Sequence, residues 1–197
     1  MIDTDYPVVL EIDYHTRQRR LATLFRCVLA VPASLLFGLY AMPMLASIVI
    51  AWFCLLVTGR WPEPIFRVAV WGLRYWVRVT AYQVLATDRF PPLHGAQSED
   101  YPVRLYVRLP GPYNRLKVLL WAFYCFPAAC IGILMLTFAG FVSCASWFVI
   151  VVTGRQSRSL FDAIERAFTY WARSCALTYL VADRYAPLSD LALAPAA

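Results

Sequence analysis

The sequence predicts a mainly helical, integral membrane fold made of two tandem copies of one unit, with about four transmembrane helices. Three observations predict it. After Arg26 no charged side chain occurs from Cys27 to Val57, a run of 31 residues that exceeds the roughly 20 needed to cross a bilayer. A second charge-free block runs from Val118 to Val152, and the two blocks close on Thr58-Gly59-Arg60 and Thr153-Gly154-Arg155. Finally, the chain repeats itself without a gap at an offset of 95: Tyr6-Pro7-Val8 meets Tyr101-Pro102-Val103, Trp52-Phe53 meets Trp147-Phe148, and Asp88-Arg89 meets Asp183-Arg184. An ungapped register of that length signals duplication. The units are 1–93 and 101–190, joined by a polar linker, 94–100, and followed by a small apolar tail, 191–197, expected to be loosely ordered.

Each unit opens on an alternating segment. Val8, Leu10 and Ile12 point one way and Val9, Glu11 and Asp13 the other, matched by Val103, Leu105 and Val107 against Arg104, Tyr106 and Arg108. Period two predicts a short strand. A lone strand is unstable, so the two are expected to pair with each other.

The apolar block follows. A single helix from Leu21 to Val57 would be about 55 Å long, too long for a hydrocarbon core of about 30 Å. Gly38, Tyr40 and Pro43 therefore predict a break and a transmembrane hairpin, Arg20 to about Leu39 and then about Met44 to Val57. In the second copy Gly132 and Gly140 bracket the corresponding turn.

Next comes an amphipathic stretch. Glu63, Arg67, Arg74 and Arg78 are spaced by fours and sevens, and Trp71, Leu73, Tyr75 and Trp76 lie off that stripe; the second copy carries Arg158, Asp162, Glu165, Arg166 and Arg173. This predicts a helix lying in the membrane interface. The alternative, a third span per unit, would place several charges in the core at about 2.5–3.5 kcal/mol for each central Arg. Asp88-Arg89-Phe90-Pro91-Pro92 and its counterpart then end the helices.

Composition agrees with this reading and excludes others. Apolar residues make up 61% of the chain and charged ones 15%, against about a quarter charged in soluble proteins. The net charge of +6 does not point to nucleic acid, because the 18 Lys and Arg flank the apolar blocks rather than forming a dense basic face. Anionic lipid headgroups are the better partner. The hairpin tips carry no charge, so the positive-inside rule places both termini in the cytoplasm of a bacterial inner membrane, with the protein multi-pass and the repeats parallel. No early apolar segment resembles a secretory signal, so the first block is expected to direct insertion.

Thr58-Gly59-Arg60-Trp61-Pro62, Leu73-Arg74-Tyr75-Trp76-Val77-Arg78-Val79 and Thr87-Asp88-Arg89-Phe90-Pro91-Pro92 together resemble a bacterial membrane domain of unknown function, family 4389, in two tandem copies. The first copy fits closely. The second departs at Gln156-Ser157, where the first has Trp61-Pro62, and at Ala186. The resemblance implies a membrane protein and carries no activity, cofactor or catalytic residue.

No catalytic set, cofactor site or metal site is expected. His15 and His94 lack Cys or carboxylate neighbours at ligand spacing. Cys27, Cys54, Cys125, Cys130 and Cys144 lie in or at the ends of apolar blocks without a C-x-x-C pair, as small packing residues do. Neither block contains a buried carboxylate, which argues against a proton pathway. Gly59 and Gly154 are candidate helix caps, since glycine adopts the left-handed conformation that ends a helix. Arg60, Arg67, Arg74, Arg78, Arg155 and Arg173 are candidate headgroup or partner contacts.

The function expected is that of a non-enzymatic adaptor or accessory subunit of a membrane complex. It would meet another membrane protein through small residues such as Ala139, Gly140, Ser143 and Cys144. A lipid-handling or bilayer-shaping protein is the first alternative, and a small transporter or channel subunit the second.

Overall fold

The computed structural model describes residues 6–16 and 18–187, so the tail 191–197 and Arg17 lie outside the described residues. The order is β1 (Val8–Ile12), α1 (Arg20–Leu24), α2 (Arg26–Thr58) and α3 (Glu63–Gln83), then β2 (Val103–Val107), α4 (Arg115–Leu119), α5 (Trp121–Thr153) and α6 (Arg158–Thr178). Every element of the first copy recurs in the second.

The two strands pair with each other, antiparallel, with Val8 opposite Val107, Leu10 opposite Leu105 and Ile12 opposite Val103. Val8, Leu10, Val103 and Leu105 are buried under the sheet. On the outer face the Arg104 guanidinium bonds Asp13 at 2.8 Å and Glu11 at 3.4 Å. Leu10 and Leu105 are repeat equivalents placed opposite each other. Exchanging the copies therefore maps the sheet onto itself, and the chain has an internal two-fold.

That symmetry extends through the helices. Trp76 meets its equivalent Trp171 edge to face at 5.2 Å. The Trp52 indole donates to the Val118 carbonyl (3.1 Å), and Trp147 donates to Thr23 (3.0 Å). Trp61, at the start of α3, donates to the Leu180 carbonyl beyond the end of α6 at 2.9 Å. Gln156, at the start of α6, donates to Leu85 beyond the end of α3 at 3.0 Å. α3 and α6 thus run antiparallel, across the two-fold rather than along it. The exchange of Trp61 for Gln156 leaves the loop geometry intact because both side chains offer one N–H to the same carbonyl position.

The mid-block hairpins do not form. α2 and α5 are each one continuous helix of 33 residues, with Pro32 and Pro43 inside α2 and Pro127 inside α5, or about 50 Å. Two helices, Val28–Thr58 and Trp121–Thr153, are long and apolar enough to cross a membrane. The reason for continuity is the face they present. Phe37, Tyr40 and Met44 share one side of α2, where Phe37 stacks on Trp76 at 5.4 Å and Tyr40 packs edge-on to Trp71 (4.5 Å) and Tyr75 (5.0 Å). Met44 lies against Gly72. Only unbroken helical spacing holds all three contacts. The reversal comes instead at Gly59 and Gly154, with φ of 70° and 73°, and α3 and α6 fold back along their own long helices. The charge-free tip on which the orientation rested is therefore absent, and basic residues stand at both ends of α2.

The result is layered. α3 presents Gly72, Tyr75 and Trp76 to α2, while on its other side Arg74 donates to the Leu105 carbonyl at 3.0 Å and Arg78 to the 94–96 segment. Helix pair α2 and α5, helix pair α3 and α6, and the sheet follow one another along the two-fold.

Leu85 and Leu180 are buried repeat equivalents with φ of 61°, the left-handed conformation in which glycine usually ends a helix. Backbone N–H groups of Ala86 and Val181 close these ends onto Ala81 and Ala176 at 3.0 and 2.8 Å. Leucine is kept because its side chain fills the core. Leu180→Gly should relieve strain of about 1 kcal/mol yet lose about 2 kcal/mol of burial. The expected net loss of about 1 kcal/mol is readable by thermal unfolding in detergent.

Candidate functional site

The Thr-Gly-Arg boxes are built alike. In each, the threonine hydroxyl donates to the carbonyl four residues back, Cys54 or Val149 (2.7 Å in both), and accepts from the arginine N–H two residues on at 3.2 Å. The other copy then clamps the glycine: the Tyr113 N–H donates to the Gly59 carbonyl at 2.7 Å, and that of Gln18 to Gly154 at 3.3 Å. Arg60 and Arg155 remain exposed beside these turns, where the negative end of each long helix favours a cation.

The other arginines separate into different environments. Arg67 is exposed and pairs with Glu63 at 2.5 Å one turn earlier. Arg74 is half-buried on the sheet. Arg78 and Arg173 are 1% and 2% exposed, so these two side chains face the core rather than a headgroup surface. Arg78 donates to the carbonyls of His94 (3.3 Å) and Ala96 (2.8 Å), and lies over the Tyr101 ring at 5.5 Å. Arg173 lies over Tyr6, the repeat equivalent of Tyr101, at 4.9 Å. Burial pushes the Tyr101 hydroxyl far above its ordinary value, opposed by Arg78 and Arg26, so the ring is a neutral π face for the guanidinium. Each copy's helix arginine is held by the other copy's first tyrosine. Recurrence of both residues at the 95 offset was the available signal.

Of the small residues expected to meet a partner, Ala139 and Ser143 are buried within the chain itself, and the Ser143 hydroxyl lies 2.5 Å from the Val84 carbonyl. Gly140 and Cys144 are exposed and line a cleft of about 840 Å³ between α2 and α5. Arg26 lines the same cleft. It drew no attention in the sequence because it sits at the edge of the apolar block and reads as a flank. Among the described residues, no three His, Cys, Asp or Glu side chains are placed to hold a metal ion.

The outer faces of α2 and α5 are strongly apolar and open. Leu35, Met42, Val57, Phe123, Phe141 and Val152 are all more than two-thirds exposed, and on α2 they stand opposite the side packed on α3. Apolar strips of this extent are rare on monomeric soluble proteins and mark contacts with a membrane or another protein.

The fold defines a duplicated helical unit, a long apolar helix doubled back on a second helix, with the copies joined through a two-stranded sheet. The model of the Domain of unknown function family DUF4389 matches it twice, over residues 20–94 and 115–187, and the chain belongs to that family. No curated protein and no solved structure matches it.

Proposed function

We propose that the chain is a non-enzymatic membrane protein that seats α2 and α5 along one leaflet and serves as an adaptor or accessory subunit of a membrane complex. The observation that carries this reading is the continuous apolar face of α2 and α5, opposite the sheet and its Arg104–Asp13 ion pair. A flat seat is favoured over a crossing by the layering. The sheet packs on the middle of α3, and α3 runs beside α2. If α2 stood upright, the sheet and its ion pair would lie at mid-depth, where charges cost several kcal/mol each. With the two-fold along the membrane normal, both copies face the same way and the sheet stands in water. Arg60 and Arg155 then lie near the headgroups, and the polar outer face of the sheet is free for a partner protein. A bacterial inner membrane with the sheet and termini on the cytoplasmic side fits basic residues around the helices meeting the anionic lipid of that leaflet.

Placing glutamates at Leu35, Met42 and Val49 tests the seat. Each points outward from α2, so the fold should survive by circular dichroism while the protein leaves the membrane fraction. At up to about 2.5–3.5 kcal/mol per buried charge, three suffice. Full retention after an alkaline carbonate wash would remove the reading. A lipid-handling role is the second reading, favoured by the cleft at Arg26.

A further inference from the structure

We infer that the cleft between α2 and α5 is a binding site for an anionic phospholipid, with its phosphate on Arg26 and one acyl chain along the groove. The inference rests on the membrane-seated reading above and assigns it a ligand.

The cation comes first. Arg26 is 5% exposed and begins α2 at one end of the cleft it lines. Its Nη2 donates to the Thr87 carbonyl and its guanidinium lies 4.4 Å over the Tyr82 ring. Its Nε and Nη1 have no hydrogen-bond partner and are closed off from solvent, so a ligand meets them only when the side chain turns from Thr87 into the cleft. A buried arginine keeps its charge, and buried donors without acceptors are costly. A phosphate takes a parallel pair of N–H groups only along one edge of a guanidinium, here Nη2 with Nε or Nη2 with Nη1. Gln83 and Ser34, bonded to each other at 3.0 Å, add polarity to the wall. Apart from Thr80 and Ser143 the rest is apolar, and Val31 and Leu35 carry the groove onto the exposed face of α2. An acyl chain lying there continues into the bilayer without leaving apolar surroundings.

The internal two-fold supplies an independent control. The equivalent cleft in the other half, lined by Ile48, Val49, Trp52 and Trp121 among others, encloses about 330 Å³ against about 840 Å³. Three replacements are among those that distinguish the two linings. Where one cleft has Arg26, Gly140 and Cys144, the other has Trp121, Leu45 and Val49 at the 95 offset. One half is closed by side chains, and the other is open and carries a buried arginine. The copies diverged here while keeping the tryptophan wall, Trp147 and Trp52.

The test uses the full chain, purified in mild detergent from vesicles of equal phosphatidylglycerol and phosphatidylcholine, with co-purified lipid read by native mass spectrometry. The wild type should retain one phosphatidylglycerol in preference to phosphatidylcholine. Arg26→Gln should lower that retention about tenfold or more, the scale of a lost charge-assisted bond pair. The second variant, Gly140→Leu with Cys144→Val, copies the closed half and leaves Arg26 in place. A Cβ at Gly140 meets nothing within 4 Å, so this variant keeps its fold and should lose the lipid equally. Retention unchanged in either folded variant overturns the site, as does a free fatty acid or a peptide found in place of the phospholipid. Because both variants are expected to stay in the membrane fraction, such a result leaves the membrane seat standing. Wild type that leaves the membrane in the carbonate wash overturns the seat and the site together.

Discussion

Gly95→Ala is expected to lower the melting temperature by about 10 °C. A Cβ built on Gly95 would stand 2.0 Å from the Trp71 carbonyl oxygen, 2.8 Å from its carbonyl carbon and 2.9 Å from the indole. Two of those three atoms belong to the backbone of α3, which is pinned between α2 and the sheet and has no rotamer to change. The linker on either side is held as firmly, since Arg78 binds the His94 and Ala96 carbonyls that flank Gly95. Relief therefore requires lifting the linker off α3, which breaks both bonds. Overpacking typically costs about 1–3 kcal/mol, and the loss of charged hydrogen bonds brings the expected total to about 3 kcal/mol. In a chain of this size that corresponds to about 10 °C. Thermal unfolding followed by far-UV circular dichroism in detergent reads it. Gly38→Ala is the matched control: a Cβ there meets nothing within 4 Å, and an alanine inside an exposed helix gains up to about 1 kcal/mol. Equal behaviour of the two variants would show that the linker does not press on α3.

The duplication was legible because its residues recur in register, and the strands were legible because Val8, Leu10 and Ile12 alternate with polar neighbours. Gly59 and Gly154 stood out as helix caps because an αL turn after a helix has a strong residue preference. The path of the long block was not legible. Length and Pro43 argued for a break, but Pro43 is tolerated because Phe37, Tyr40 and Met44 need an unbroken helix to reach α3, and those partners are remote in sequence. The same limit hid the fate of the arginines. Arg67 and Arg78 look alike on a helical stripe, yet one ends exposed beside Glu63 and the other buried over Tyr101. What separates them is the neighbouring copy's first residues and the linker. Arg26 was hidden differently. Its importance appears only when the two-fold sets it against Trp121 and shows one cleft closed and the other open.

Arg78→Ala separates a buried structural cation from a headgroup contact, and the expected result is loss of stability with membrane association unchanged. No carboxylate faces Arg78 among its hydrogen bonds. Its charge is balanced by the His94 and Ala96 carbonyls and by the Tyr101 ring. Removal leaves those carbonyls without their donor and opens a void beneath the sheet, at about 3 kcal/mol. Arg78→Lys keeps the charge but not the planar fork that serves two carbonyls while stacking on a ring, so it should recover less than half of that loss. Tyr101→Leu should cost less than Arg78→Ala, since it removes a π face worth about 0.5–2 kcal/mol and the hydroxyl bond to the Arg89 carbonyl. In a double-mutant cycle the two substitutions should couple by about 1 kcal/mol, as touching residues do. Arg173 over Tyr6 repeats the arrangement in the other copy, and destabilisation by Arg173→Ala should follow from the same stack. A headgroup contact predicts the reverse pattern: stability held in Arg78→Ala, weaker association with anionic vesicles, and no coupling to Tyr101. Because stability and vesicle binding are measured on the same purified variants, the two accounts cannot both fit one set of results.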